Sequence, residues 1–545
     1  MAIFEKTDQN KVVIDDTEKL ICFVENTKNI DKHTEYVLKV QRGPSKDDKW
    51  YVSHRYRDFS ELNARLQPAG YDLPLPPKKF FGNMQPSFIA ERHKSLQNYM
   101  DKVLMHQKLS LSFPVRSFLD PNNYSKSISE EALSTISIAL RGGGSFELDT
   151  PLTSIGWRIR KQYCFVREFG RERRSMLSWQ SYGPDKYLEP RDMQAAFKSI
   201  LNISHPYIDQ ILAIHSLESG AYVVRRIHEN GSIRDILYGT DYSRSYLEKY
   251  ANPKVKNPFT CGQIAHYGLQ ILQALKFLHD KDLPHGHIHP GNIMIDNQKA
   301  LLVDIENGLL GNSCIYRPYL LEHKKICTLE SVDVYCFAHT LYEMAFAEPL
   351  EKSTCDTFPS EISDELDMVL KSCLSPTACR NWLPSLTELM DHPFFSSPLS
   401  LSNGGPPDRI HLKFPLTLKE QLQQNTTVIE GRLKKEQKLV RTARREARIK
   451  EILNSEEEIK KQKRRLKKRD SWWKSSSSLS ETVRSISSAS SPTPPTLHII
   501  IIQSETSRNS TSMSLTPESG SDGRTALLTS ICSFDKNRLT RINSH

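Results

Sequence analysis

Residues 285–296 read HGHIHPGNIMID. His285, His287 and His289 stand at alternate positions, so an extended chain would turn all three toward one face, and imidazole nitrogens grouped in that way are a route to zinc binding. The ten cysteines do not extend this reading. They are scattered, with no C-x-x-C pair and no zinc-type spacing, a usage that suits a reducing compartment. What positions the histidines is the preceding run, QIAHYGLQILQALKFLHD, whose Ile264, Gly268, Ile271, Leu275 and Leu278 fall on one helical stripe. The histidine segment is therefore a loop leaving a long helix.

That helix and loop, followed by KALLVDIEN and SVDVYCFAHTLYEM, resemble a protein kinase over roughly residues 150–397. The resemblance implies a bilobal fold and a phosphoryl-transfer site, whose parts are a glycine-rich loop, a lysine paired with a helix glutamate, a base aspartate and two metal ligands. On this register His285 keeps the family histidine, His287 replaces the base and His289 replaces a lysine. The register accounts for the setting of the histidines better than zinc does. The helix glutamate position is Ala196. The strand RSMLSWQSYG puts Trp179 at the lysine position, with Lys186 the nearest lysine, and SIGWRIRKQYCFV offers one glycine, Gly156. RGGGS at 141–145 reads as a linker. Asn292 and Asp304 match the two metal ligands, although Glu306 stands where the D-F-G glycine belongs. The expectation is a pseudokinase that requires no cofactor and binds Mg·ATP weakly at most. Asn292 and Asp304 fit hydrogen-bonded structural roles equally well.

Residues 11–66 alternate as strands do and then pass into a helix; LPLPPKKFFGN is a proline-stiffened loop, and FIAERHKSLQNYMDKVLMH is helical in spacing. The stretches RYRDF, LPLPPKKFFGN and FIAERHKSLQNYM resemble, in order, the phox-homology (PX) domain, a phosphoinositide-binding module, over residues 12–124. The resemblance implies that Arg55 holds the 3-phosphate, Tyr56 lies beneath the inositol ring, Lys78 serves the 1-phosphate with Lys79 as substitute, and Arg92 holds the inositol hydroxyls. Phosphatidylinositol 3-phosphate is the favoured lipid. His54 stands where the family often has a second arginine.

The formal charge of +10 is concentrated: residues 431–470 hold 17 Lys plus Arg against 7 Asp plus Glu, a balance of 17 − 7 = +10, which leaves the rest near neutral. A solvated charged helix, an anionic-membrane patch or an import signal, and a nucleic-acid contact all suit such a segment, in that order. Nucleic acid ranks last because no aromatic platform accompanies the charge. Beyond Ser471 a serine- and proline-rich tract cannot bury enough apolar surface to fold, so residues 398–522 read as a basic helix and a low-complexity, largely disordered tail. Within 523–545, Leu527, Leu528, Ile531 and Phe534 keep helical spacing before Leu539 and Arg541, and this stretch resembles the actin-binding WASP-homology-2 motif. A frayed apolar tail is the plainer alternative. No run reaches the length of a membrane span.

The fold class is thus α+β and multidomain. The order of domains resembles a sorting-nexin-related group, which implies a cytoplasmic protein peripheral on endosomal and plasma membranes. Its role would be a scaffold in membrane-protein trafficking, with membrane-protein cargo and actin as partners. The competing reading is a working serine/threonine kinase recruited to membranes.

Overall fold

The computed structural model describes residues 13–455, apart from 32, 46, 79–84, 125–126, 144 and 397–410, and residues 459–467 apart from 462. The WASP-homology-2-like stretch and the serine-rich tract lie outside the described residues.

Three antiparallel strands open the chain in the order β1 (Leu20–Ile30), β2 (His33–Arg42), β3 (Lys49–Arg55). The sequence LICFV alternates buried and exposed, placing Leu20, Cys22 and Val24 on the core face, as a sheet with one wet side requires. Helix α1 (Tyr56–Leu66) follows β3 without a loop, because the Asp58 carboxylate accepts from the Arg55 amide and closes its first turn. Helix α2 (Pro86–Met105) starts at a proline, a residue suited to a first helical position, and buries Ile89, Leu96, Tyr99, Met100 and Val103. With α3 (Phe113–Leu119) these elements enclose a core around Phe59, Leu62 and Leu66.

Helix α4 (Ser127–Gly143) and a five-stranded antiparallel sheet come next. The sheet runs β4 (Phe146–Leu152), β5 (Lys161–Glu168), β6 (Arg174–Ser181), β8 (Gly220–Arg225), β7 (Ile211–Ser216). Between β6 and β7 lies α5 (Pro190–Leu201), which buries Met193, Ala196, Phe197 and Ile200 at helical spacing. Helix α4 covers the outer face of the sheet, where Ala132, Ile136 and Leu140 meet Cys164, Val166, Leu177 and Trp179. The expected boundary at residue 150 therefore falls inside β4, and α4, which precedes it, packs on the sheet of the kinase-like body. Of the glycines read as a linker, Gly142 and Gly143 end α4, and the helix packs on the sheet because an isolated sheet would leave that apolar face wet.

The larger lobe is helical around α6 (Cys261–His279) and α7 (Leu329–Phe346), each started by a capping box, Thr260 with Gln263 and Thr328 with Ser331. The two-stranded β9 (Ile293–Asp296) and β10 (Lys299–Leu302) carry the loops of interest.

The basic segment gives a second correction. It is not a solvated tail throughout: α8 (Leu416–Asn454) lays Leu418, Leu422 and Leu433 into the kinase-like core. Gln437, 1% exposed, donates from its amide to the carbonyls of His323 and Ile326.

Candidate functional site

The PX pocket is built at the meeting of β3, α1 and α2. Tyr56 and Arg92 come together, with the guanidinium 4.2 Å from the Tyr56 ring centre and 4.3 Å from that of Phe88. Arg92 also donates to the Pro77 carbonyl at 3.1 Å, and Tyr56 donates its hydroxyl to Pro76, so the proline loop is tied to both side chains. Arg55 ends β3 half-exposed, its Nε 3.8 Å from Glu35, and Lys78 is exposed on the loop. Lys79 lies outside the described residues. His54 does not act as a second phosphate cation. It stacks on Phe118 at 3.8 Å and bonds to that residue's carbonyl, and burial pushes its pKa down.

In the kinase-like body a cleft between the lobes has about 160 Å³ of free volume, below the roughly 300–1,000 Å³ typical of ligand pockets. Its own side chains fill it. Trp157 and Arg158, from the segment that should arch over phosphates, are both buried. Arg158 stacks on Trp157 at 4.4 Å and points an N–H at the His287 ring, 3.3 Å away. His287 thus stands under a guanidinium where a catalytic base would stand open. Burial first, then Arg158, pushes its pKa well below the usual histidine value, so it is neutral and a feeble base. His289 is pushed down likewise, by burial and then Arg234.

The lysine expectation needs correcting. Trp179 projects to the outer face of β6, into the core with α4, while Met176 and Ser178 face the cleft; alternate residues of a strand point oppositely, and the register puts Trp179 on the wrong side. Nor does Lys186 line the cleft. Lys161, at the start of β5, does, with its ammonium 2.6 Å from Asp304 Oδ2. The signal was in the sequence, a lysine beginning the strand after Gly156, but motif spacing directs attention to the next strand. Asp304 adopts a left-handed φ of 64°, which aspartate tolerates better than most residues. Burial would raise its pKa; Lys161 and then Arg225 outweigh that and hold the carboxyl well below the usual range.

Ala196 is buried in the apolar core, and no acid from α5 lines the cleft. Glu306, at the expected glycine, takes a two-pronged pair from Arg225, at 3.2 and 2.6 Å. Asn292 is committed to its own loop: its Oδ1 accepts from the His289 amide at 3.0 Å and its Nδ2 donates to the His287 carbonyl. Both surviving metal-ligand positions are therefore engaged by protein groups. The three histidines do not converge either. His285 bonds to the Val303 carbonyl and His289 accepts from the Gly291 amide, and no cluster fit to hold a metal occurs among the described residues.

Comparison with known proteins places both domains in families. The PX domain family matches residues 43–122, and the protein tyrosine and serine/threonine kinase family matches residues 185–309. Fold and site together define a class, a PX domain joined to a protein-kinase-like domain with a degenerate cleft. Within that class the chain belongs to the family of PX domain-containing protein kinase-like proteins. It is 43% identical to the PX domain-containing protein kinase-like protein of Mus musculus over 446 residues, 82% of this chain and 76% of the relative. It is also similar to the Slowpoke-binding protein of Drosophila melanogaster, 29% identical over 233 residues, 41% of this chain and 45% of that one. A third relative is the probable inactive serine/threonine-protein kinase slob1 of Dictyostelium discoideum, 28% identical over 288 residues, 47% of this chain and 48% of that one. No described helix is long and apolar enough to cross a membrane.

Proposed function

We propose that the chain is a catalytically silent, phosphoinositide-targeted scaffold acting in membrane-protein trafficking on endosomal and plasma membranes. One observation carries the reading: the PX pocket keeps its stacked Tyr56–Arg92 pair beside an exposed arginine, whereas the kinase-like cleft is closed by its own Arg158 and Lys161. Phosphoryl transfer depends on positioned charges around the phosphates and a base at the attacking hydroxyl. Here the base position holds a buried neutral imidazole. The working-kinase reading gains a cleft lysine from Lys161 but no base. The reading includes no Mg·ATP requirement, and it is supported by Lys161 on Asp304 Oδ2 and a backbone amide on the Asn292 oxygen. The names of the relatives, one a binding protein and another a probable inactive kinase, suit a role exercised through partners. Membrane-protein cargo is the partner we favour, and actin coupling through Leu527, Leu528, Ile531, Phe534, Leu539 and Arg541 is a subsidiary proposal.

The test uses the full chain. It should float with vesicles containing phosphatidylinositol 3-phosphate, Arg55→Ala should lose most of that flotation without a change in melting temperature, and labelled-phosphate transfer should stay at background. Robust transfer abolished by Asp304→Ala would overturn the silent reading, and flotation unaffected by Arg55→Ala would overturn the assigned lipid pocket.

A further inference from the structure

Helix α8 sorts its charges by face. Between residues 434 and 453 it holds eight Lys plus Arg against three Asp plus Glu, and five of the eight, Lys434, Lys438, Arg441, Arg445 and Arg448, follow one another at intervals of four, three, four and three residues. At about 100° and 1.5 Å per residue, that spacing confines them to an arc of about 80° and lines them up over about 21 Å. All five are exposed. The acids of the span stand elsewhere: Glu436 pairs with Arg317 on the docked side, and Glu446 and Glu451 lie roughly 100° or more from the middle of the stripe. Among the described residues, the only carboxylate in ion-pair reach of the five is Glu430, 3.5 Å from Lys434. Like charges three and four residues apart repel, so the stripe weakens its own helix until something negative faces it. Leu433, Gln437 and the Arg444–Glu322 pair fasten α8 to the kinase-like body, which fixes the stripe in place beforehand. Ile452, 55% exposed, continues it four residues beyond Arg448.

We propose that this ridge is a second membrane contact, lying along an anionic bilayer surface and recognising it by surface charge, with no particular headgroup required. A bilayer suits the ridge better than nucleic acid does. Helix α8 has no aromatic residue on which a base could stack, and an exposed isoleucine at the end of the stripe fits the boundary between headgroups and acyl chains. The helix also belongs to the same compact unit as the PX domain, which brings a membrane to it. This rests on the membrane-targeted reading of the PX domain and adds a charge requirement: the surface presents phosphoinositide and excess anionic lipid together. Each basic residue near an anionic leaflet is worth about fivefold in partition, so a stripe of five is a large effect. At a Debye length of about 8 Å it is also a salt-sensitive one.

Flotation of the full chain with vesicles tests this. On phosphatidylcholine holding a trace of phosphatidylinositol 3-phosphate, added phosphatidylserine should raise binding about tenfold or more, and high salt should remove the increment. Lys438→Gln with Arg445→Gln should abolish most of the increment, about tenfold, and leave binding to vesicles without phosphatidylserine unchanged. Lys435→Gln with Lys450→Gln, an equal loss of charge off the stripe, should cost no more than about threefold. All four side chains are exposed, so melting temperatures should not move. Arg55→Ala should lower binding to both kinds of vesicle and leave the ratio between them unchanged. An absent increment, or equal losses from the two pairs of substitutions, would overturn the proposal. So would duplex RNA bound at the same salt as tightly as the phosphatidylserine vesicles and released by the stripe pair, which would make the ridge a nucleic-acid contact. Flotation indifferent to Arg55→Ala with the phosphatidylserine increment intact removes the PX lipid pocket and supports the ridge; an absent increment with Arg55-dependent flotation removes the ridge alone.

Discussion

At the scale of single residues, the proposed silence of the cleft rests on Lys161 and His287. Both members of the Lys161–Asp304 pair are largely shielded from water, at 5% and 13% side-chain exposure. Lys161→Met therefore leaves a buried carboxylate with Arg225 4.0 Å away as its remaining counter-charge, at an expected cost of about 3–5 kcal/mol. The pH dependence should change with it. Asp304 in the native chain titrates below its unfolded value, so its stabilisation is present above that value, near pH 3.9, and is lost as acid protonates it. Denaturant unfolding at a series of pH values should show wild-type stability falling on acidification below about pH 4, with this component absent in Lys161→Met. His287→Asp gives the opposite result. The new carboxylate meets Arg158, so the melting temperature should rise while phosphate transfer stays at background, because the helix glutamate and an open phosphate loop are still missing. Transfer restored by this one change would show that positioning had been intact.

At the scale of elements, the segment before β1 and helix α8 meet at the loop beyond Asp304. Asp15 accepts from Ser313 Oγ at 2.5 Å and lies 3.3 Å from Arg317 and 3.4 Å from Arg432. Glu18 sits close by, and burial, then Asp15 and Glu436, raise its pKa to about 7. A carboxyl raised in the folded state holds an extra proton between its unfolded value, about 4.3, and 7, so stability falls as pH rises through that window. Glu18→Gln should therefore increase the melting temperature at pH 8 and leave it nearly unchanged at pH 4. Gln437 presents the complementary case. Gln437→Ala strips buried carbonyls of a donor and should cost about 1–3 kcal/mol, measurable as a lower melting temperature and faster proteolysis within α8.

At the scale of the described body, the PX and kinase-like domains share an interface. Tyr71 donates to the Ala251 carbonyl at 2.6 Å, Lys108 to that of Tyr250 at 2.6 Å and Gln107 to that of Ile315 at 2.8 Å, while Leu247 and Ala251 complete the PX core. Part-buried hydrogen bonds and shared apolar contacts should couple unfolding, so scanning calorimetry should give one transition for the two domains, and two well-separated transitions would contradict that coupling. The same coupling makes the full chain the right material for lipid binding, since a cut at residue 125 would uncover Tyr71, Lys108 and Ala69.

Much of this was legible in the chain itself. Strand alternation in LICFV, the helix stripe of Ile264 to Leu278 and the ordered RYRDF, proline-loop and FIAERHKSL stretches determined two domains and their order, because local periodicity and backbone preference write these features into adjacent residues. The histidine at the base position of the kinase-like pattern, His287, was equally visible, and the proposed silence of the cleft starts from it. What tertiary structure alone decided depends on meetings between distant residues: Lys161 with Asp304 across 143 positions, Asp15 with Arg432 across 417, and α4 folded back over the sheet. Trp179 shows the reason. Its spacing fitted the lysine position, but in a strand a shift of one residue reverses the face, and the face is set by the packing of α4 on the sheet.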